Sequence, residues 1–235
     1  MKFADLKQLY LEKKRQFGED AYQHVSDLLR EAKELHKVDW LKNPTPGSDH
    51  EQSWRAFKGK NLEKLIEFMI KDEVESLGLK VVKGDSLEKT SEANLSEELR
   101  QVKRNLTIDY GEFGSHFPDA DLIIYDPHSS KVLAVLSSKV TSREKIAHTG
   151  YWKRKFLEVK TTEHIQVYLI TLDEDGDFNQ RIQTSKGRAI AEVDLNGGYV
   201  LTQSSIEESD KVKLFPHLIE DLKALRDAVR GNDRR

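Results

Sequence analysis

Two acids, Asp119 and Asp121, stand just before the apolar run Leu122-Ile123-Ile124-Tyr125, and Lys139 closes a second run that starts at Lys131. Each run reads as a short strand. Asp126-Pro127-His128-Ser129-Ser130 between them is turn chemistry: Pro fixes φ, and Asp and Ser bond locally to backbone. Side chains two apart on a strand share a face. Ser137 and Lys139 therefore point the same way, and folding the hairpin back sets them beside Asp119 and Asp121. A carboxylate and an amine then meet at one end of a sheet, which is a compact device for phosphodiester hydrolysis. The acid holds Mg²⁺, a cation that takes hard oxygen ligands and keeps several waters. The ion neutralises charge on the phosphate and lowers the pKa of a bound water. The lysine orients or deprotonates that water. The carbonyl of Ser138 offers one more oxygen ligand.

The elements around this hairpin decide what reaches it. Upstream, Trp54, Phe57, Leu62, Leu65, Ile66 and Met69 repeat at three and four, the pattern of a helix from about residue 52 to 77. Ser48 or Asp49 can cap it. Gly59 interrupts it at a cost of roughly 1 kcal/mol relative to Ala, so close approach is expected there. Glu63 is either a solvated acid or a carboxylate reaching the metal site. Leu79 to Val82 reads as a strand, residues 84–94 as polar loop, and Ser96 or Asn94 as the start of another helix. Residues 109–117, with two glycines and three aromatics, are a loop on the rim of the site or a flap over it.

Downstream, Lys139, Arg143, Lys145, Lys153, Arg154, Lys155 and Lys160 face only Glu144 and Glu158, with Tyr151 and Trp152 among them. Local basic density with interleaved aromatics is the footprint of a nucleic-acid surface. His164 to Leu172 reads as a buried strand, Ala189 to Val193 is ambiguous, Tyr199 to Leu201 is a late strand, and Pro216 starts a final helix. At the N-terminus, Phe3, Leu6, Leu9 and Tyr10 mark one amphipathic helix. Val25, Leu28, Leu29, Ala32 and Leu35 mark another, with Gly18 as the break. They form either a layer on the core or an arm that completes a dimer. The acidic run at Asp173 departs from a calcium loop, because its sixth position is Phe178 and its twelfth Thr184.

Pro118-Asp119 with Ser137-Ser138-Lys139 resembles the PD-(D/E)XK nuclease motif, with Ser in place of the acid. Lys139 followed four residues later by Arg143 resembles the Ser-x-Lys variant of type II restriction endonucleases, including CCGG-cutting and EcoRII-like groups. Ser53-Trp54, Gly59 and Glu63 on an upstream helix are similar to that arrangement, and the likeness spans roughly residues 50 to 160. It implies an α/β fold with a central mixed β-sheet flanked by helices, which the helical region read at the N-terminus precedes. Residues 1–47 would be that region, either a layer on the core or a dimerisation arm, and 48–235 the nuclease domain. It implies Asp121 or Asp119 as metal ligand, Lys139 as catalytic lysine and Ser137 at the vacated acid position. Asp121 is preferred, because it abuts the strand. Related enzymes recover the lost acid a little over three helical turns past the lysine. Tyr151, Trp152 and Lys153 stand there, so either Glu63 or Glu144 substitutes or the site makes do with fewer acids. The metal set is then Asp121, Glu63 and Ser138, and the DNA-binding set Arg143, Lys145, Lys153, Arg154 and Lys155.

The composition bounds these readings. The chain has 235 residues, 37% hydrophobic and 34% charged, with net charge −3, so any nucleic-acid site is a local patch. It contains no cysteine, which excludes disulfides and thiol chemistry. No apolar run approaches the roughly 18 residues of a membrane span, and Met1-Lys2-Phe3-Ala4-Asp5 does not read as a signal peptide. The expectation is a cytoplasmic, Mg²⁺-dependent homodimer that cuts double-stranded DNA at specific sequences. A structure-selective repair or junction nuclease of the same fold, or a catalytically inactive DNA-binding protein, are the alternatives.

Overall fold

A computed structural model of the chain describes residues 1–44, 46–140 and 146–232. Its helices are α1 (Phe3–Phe17), α2 (Val25–Lys42), α3 (His50–Ser76), α4 (Gly84–Lys89), α5 (Glu97–Leu106), α6 (Ile146–Leu157), α7 (Lys186–Val193) and α8 (His217–Asn232). The strands are β1 (Lys80–Lys83), β2 (Ile108–Asp109), β3 (Ser115–His116), β4 (Leu122–Asp126), β5 (Lys131–Lys139), β6 (Gln166–Thr171), β7 (Gly197–Val200) and β8 (Val212–Leu214). Six of them form one sheet in the order β1-β4-β5-β6-β7-β8. The β1–β4 and β4–β5 pairs are antiparallel, and β5 to β8 run parallel. This is the mixed, helix-flanked sheet expected.

The central strands are buried on both faces, which is why they read as continuous apolar runs. Successive residues enter opposite cores. Leu122, Ile124, Ala134 and Leu136 pack beneath α1, α2, α3 and α8. Ile123, Tyr125 and Val135 pack on the other face, against α4 to α7. Leu6, Val25 and Leu28 are fully buried together with Leu65 and Ile66 of α3, so the first two helices contribute to the core that carries the sheet. The hairpin turn closes as its residues dictate. Asp126 Oδ1 accepts from the His128 amide at 3.0 Å, and Ser130 takes a left-handed φ of 56°.

Several local readings change. Gly18 ends α1 at φ 60°, but α2 runs on to Lys42 and presents Leu35 to solvent, with His36 taking the buried place. Residues 84–94 hold α4 and a 3-10 turn. Residues 108–116 hold the small β2–β3 hairpin. Residues 189–193 are helical. Asp49 caps α3 by accepting from the Gln52 amide at 2.8 Å. The close approach expected at Gly59 is absent, since a Cβ there would meet nothing within 4 Å. It occurs instead at Gly84, where a Cβ would lie 1.8 Å from the Ala120 carbonyl oxygen.

Candidate active site

The site forms at the start of β4, beside the C-terminal ends of β1 and β5. Asp121 precedes β4, and its backbone is held from both sides. Its amide donates to the Leu136 carbonyl at 3.0 Å, and its carbonyl accepts from the Gly84 amide at 3.1 Å. Only a residue without a side chain lets the β1–α4 junction come that near. The Asp121 side chain is thereby aimed across to β5. Its Oδ2 accepts from Lys139 Nζ at 2.9 Å, from the Ser138 amide at 2.5 Å and from the Ser138 hydroxyl at 3.1 Å. The Lys139 and Asp121 side chains are only 13% and 10% exposed. Charge-assisted bonds in such partly dry surroundings are short and directional, so the carboxylate is fixed before any substrate arrives.

Glu63 approaches from α3. Burial, then the nearby Asp121 carboxylate, push its carboxyl up from 4.5 to about 7, while Lys139 pulls it down. A second carboxylate is therefore held within electrostatic reach of the first. No group of three or more His, Cys, Asp or Glu side chains forms a metal cage among the described residues. The oxygen groups brought together here are the two carboxylates of Asp121 and Glu63. That suits Mg²⁺, which commonly binds through one or two carboxylates and keeps its waters.

Asp119 and Ser137 lie elsewhere. Residues 118–120 form a tight turn, with the Ala120 amide on the Pro118 carbonyl at 2.9 Å. Both acids precede β4, so strand pleat does not set them on one face as their spacing suggested, and they take different partners. Asp119 Oδ2 sits 3.2 Å from His148 Nδ1 on α6. Ser137 lines a small cavity with Asp119, Thr149, Trp152 and Phe156, whereas the serine in contact with Asp121 is Ser138. Neither His148 nor the side chain of Ser138 was singled out by sequence reasoning. A His on a basic, aromatic helix after the hairpin, and a hydroxyl between Ser137 and Lys139, were the available signals.

The basic segment splits. Arg143, Lys145 and Glu144 fall outside the described residues. Lys153 is buried, and Nζ donates to the Ile165 carbonyl at 3.3 Å, so it faces the core rather than solvent. Lys155 bonds Glu158 at 2.7 Å and stands over the rings of Tyr110 and Tyr151. Arg154 is exposed. The hydroxyls of Tyr110 and Tyr151, 2.9 Å apart, tie the β2–β3 loop to α6 at the rim.

A model of the BsaWI restriction endonuclease family, type 2, matches residues 98–221, more than half of the chain and inclusive of Asp121, Ser138 and Lys139. The chain belongs to that family. This endonuclease is 35% identical over 212 residues to MjaVIP of Methanocaldococcus jannaschii, named as a candidate type II restriction enzyme, with 85% of this chain and 92% of that protein covered. It is 36% identical over 128 residues to HpyAORF263P of Helicobacter pylori, named likewise, covering 54% of this chain and 64% of the relative. Its fold is that of the restriction endonuclease PspGI, solved with substrate DNA. The two match with a TM-score of 0.54 at 13% identity, over 95% of this chain and 93% of the other. Family membership favours the reading of a type II restriction endonuclease acting on DNA over that of a structure-selective repair nuclease.

Proposed function

We propose that this restriction endonuclease hydrolyses both strands of duplex DNA at a specific sequence, with Mg²⁺ and as a homodimer in the cytoplasm. The supporting observation is the Asp121–Lys139 pair at 2.9 Å, locked by Ser138. Asp121 and Glu63 are the carboxylates assigned to the ion, with the Ser138 carbonyl as a further oxygen. When bound, Mg²⁺ supplies a more acidic water and neutralises charge on the phosphate. Lys139 stands beside the reacting phosphate, orients the attacking water and offsets negative charge as the bond breaks. The Ser138 amide and hydroxyl hold the Asp121 carboxylate still, so no geometry has to be assembled during the reaction. Asp119, paired with His148, and Ser137 are placed at the edge of the substrate path, and Arg154 and Lys155 on the DNA-facing side of α6. Arg143 and Lys145, outside the described residues, keep the DNA-binding assignment read from the sequence. Symmetric duplex cutting requires two such centres related by a two-fold axis.

The test is a digest of plasmid DNA by the purified protein with Mg²⁺ or EDTA, followed by sequencing of the ends. Discrete fragments with one recurrent end sequence, lost in EDTA and in Asp121→Asn, are expected. Fragments that persist undiminished in EDTA, or in Asp121→Asn, would contradict the assignment.

A further inference from the structure

We propose that His36 of α2 and His50 of α3 form a binding site for a zinc-like transition-metal ion, which pins the two helices together. Its occupant is a nitrogen-seeking divalent cation, distinct from the oxygen-seeking Mg²⁺ assigned to Asp121 and Glu63. The sequence sets the same pair twice: His36 is followed four residues later by Trp40, and His50 by Trp54. Where α2 and α3 meet, the rings of His36 and His50 have centres 5.3 Å apart, and those of Trp40, Trp54 and Phe57 lie at most 6.0 Å from one or the other. Aromatic neighbours commonly sit about 4.5–7 Å apart, so the spacing alone fits plain packing. The nitrogens do not. His36 Nδ1, His50 Nε2 and Trp40 Nε1 are each buried with no hydrogen-bond partner. His36 is 8% exposed and the His50 side chain 12%. Buried polar atoms are almost always satisfied, so three orphans on adjoining rings point to something bound between them.

The chemistry of the two rings identifies the ion. A zinc–nitrogen bond of about 2.0–2.1 Å, plus about 1.2 Å from nitrogen to ring centre, sets two imidazoles on one tetrahedral ion about 5.2–5.4 Å apart, centre to centre. The observed 5.3 Å meets that distance. Burial, then His50 and the Met1 amine, hold His36 below the usual imidazole range, while Asp39 pulls the other way. The His36 ring is therefore neutral at neutral pH, the state that ligates. His50 Nδ1 lies 3.9 Å from the Glu51 carboxylate. Ligating histidines carry such a carboxylate on the nitrogen away from the metal, which leaves Nε2 for the ion. The nearby Met1 amine is neutralised by its bond to Asp39. No third His, Cys, Asp or Glu joins the pair among the described residues, so water completes the shell, and the Trp40 N–H donates to one such water. A buried water alone would bridge the same nitrogens, and the experiment separates the two.

The experiment is calorimetric titration of the untagged full chain with ZnCl₂, after EDTA treatment and dialysis, with thermal unfolding in parallel. Millimolar MgCl₂ is present throughout, because Mg²⁺ takes the catalytic carboxylates and leaves imidazoles free. The proteins are the wild type, His36→Gln, His50→Gln and Asp121→Asn. Wild type should bind one Zn²⁺ per chain at micromolar Kd or tighter, and its Tm should rise with zinc concentration. Each histidine variant should lose at least about tenfold in affinity, and the thermal shift with it. Asp121→Asn should bind zinc like wild type. His50 starts α3 and is the less buried of the two, so His50→Gln carries the test should His36→Gln fail to fold. A wild type that takes up no zinc would overturn the site and leave a water or plain ring packing in its place. Zinc binding that survives in His50→Gln but is lost in Asp121→Asn would overturn it too, while leaving the catalytic metal reading standing.

Discussion

Replacing Glu63 with Gln removes one carboxylate from the proposed metal pair while keeping its size. Burial and the Asp121 charge raise Glu63 from 4.5 to about 7. A tenfold change in a protonation equilibrium is about 1.36 kcal/mol, so holding Glu63 ionised costs the fold about 3 kcal/mol at most. The side chain is half-buried, and solvent screening reduces this to about 1–2 kcal/mol. A folded-state value above the unfolded one means that the folded chain keeps its proton longer. The group's contribution to stability is therefore present below about pH 4.5 and is lost as pH rises through 7. In EDTA, Glu63→Gln should match wild type in urea unfolding at pH 5 within about 0.5 kcal/mol. At pH 8 it should be more stable by about 1–2 kcal/mol. Adding Mg²⁺ should stabilise wild type by mass action and the variant much less, and cleavage by the variant should fall at least about 100-fold. The reasoning is refuted if the stability difference in EDTA is the same at both pH values, or if Glu63→Gln cuts DNA at the wild-type rate.

Other substitutions test the supporting geometry. Gly84→Ala forces a methyl against the Ala120 carbonyl and should lower cleavage at least about tenfold by moving Asp121. Gly59→Ala, in open space on α3, should keep activity and add about 0.5–1 kcal/mol in thermal or urea unfolding. Arg154→Ala should weaken DNA binding and reduce the salt slope of the affinity by about 1. Lys153→Met should leave both unchanged, because its amine is turned to the Ile165 carbonyl; the reverse ranking in salt-titrated binding would contradict these placements.

The hairpin was legible because strands buried on both faces are apolar throughout and its turn residues have one strong preference. The Asp121–Lys139 meeting followed from that register. What misled was period without context. Spacing of two puts Asp119 and Asp121 on one face only within a strand, and both precede β4, with a turn at residues 118–120. Charge likewise does not report burial, since Lys153 counts as a base in the sequence yet lies 7% exposed. Gly84 was hidden in a polar stretch, although a glycine after a strand is a signal for close backbone approach. The segment Ala189 to Val193 is ambiguous by composition, and packing decides it: Ala191 of the helix lies against Gly198 of β7.

The most direct measurement of the central claim is cleavage by Lys139→Ala in Mg²⁺, set beside its binding to the recognised duplex without the ion. The lysine amine is assigned to the attacking water and the phosphate charge, a role worth roughly 100-fold or more. Cleavage should fall by at least that factor, with specific binding close to wild type. Cutting within a few-fold of wild type would contradict the account, whatever the state of the Asp121 carboxylate.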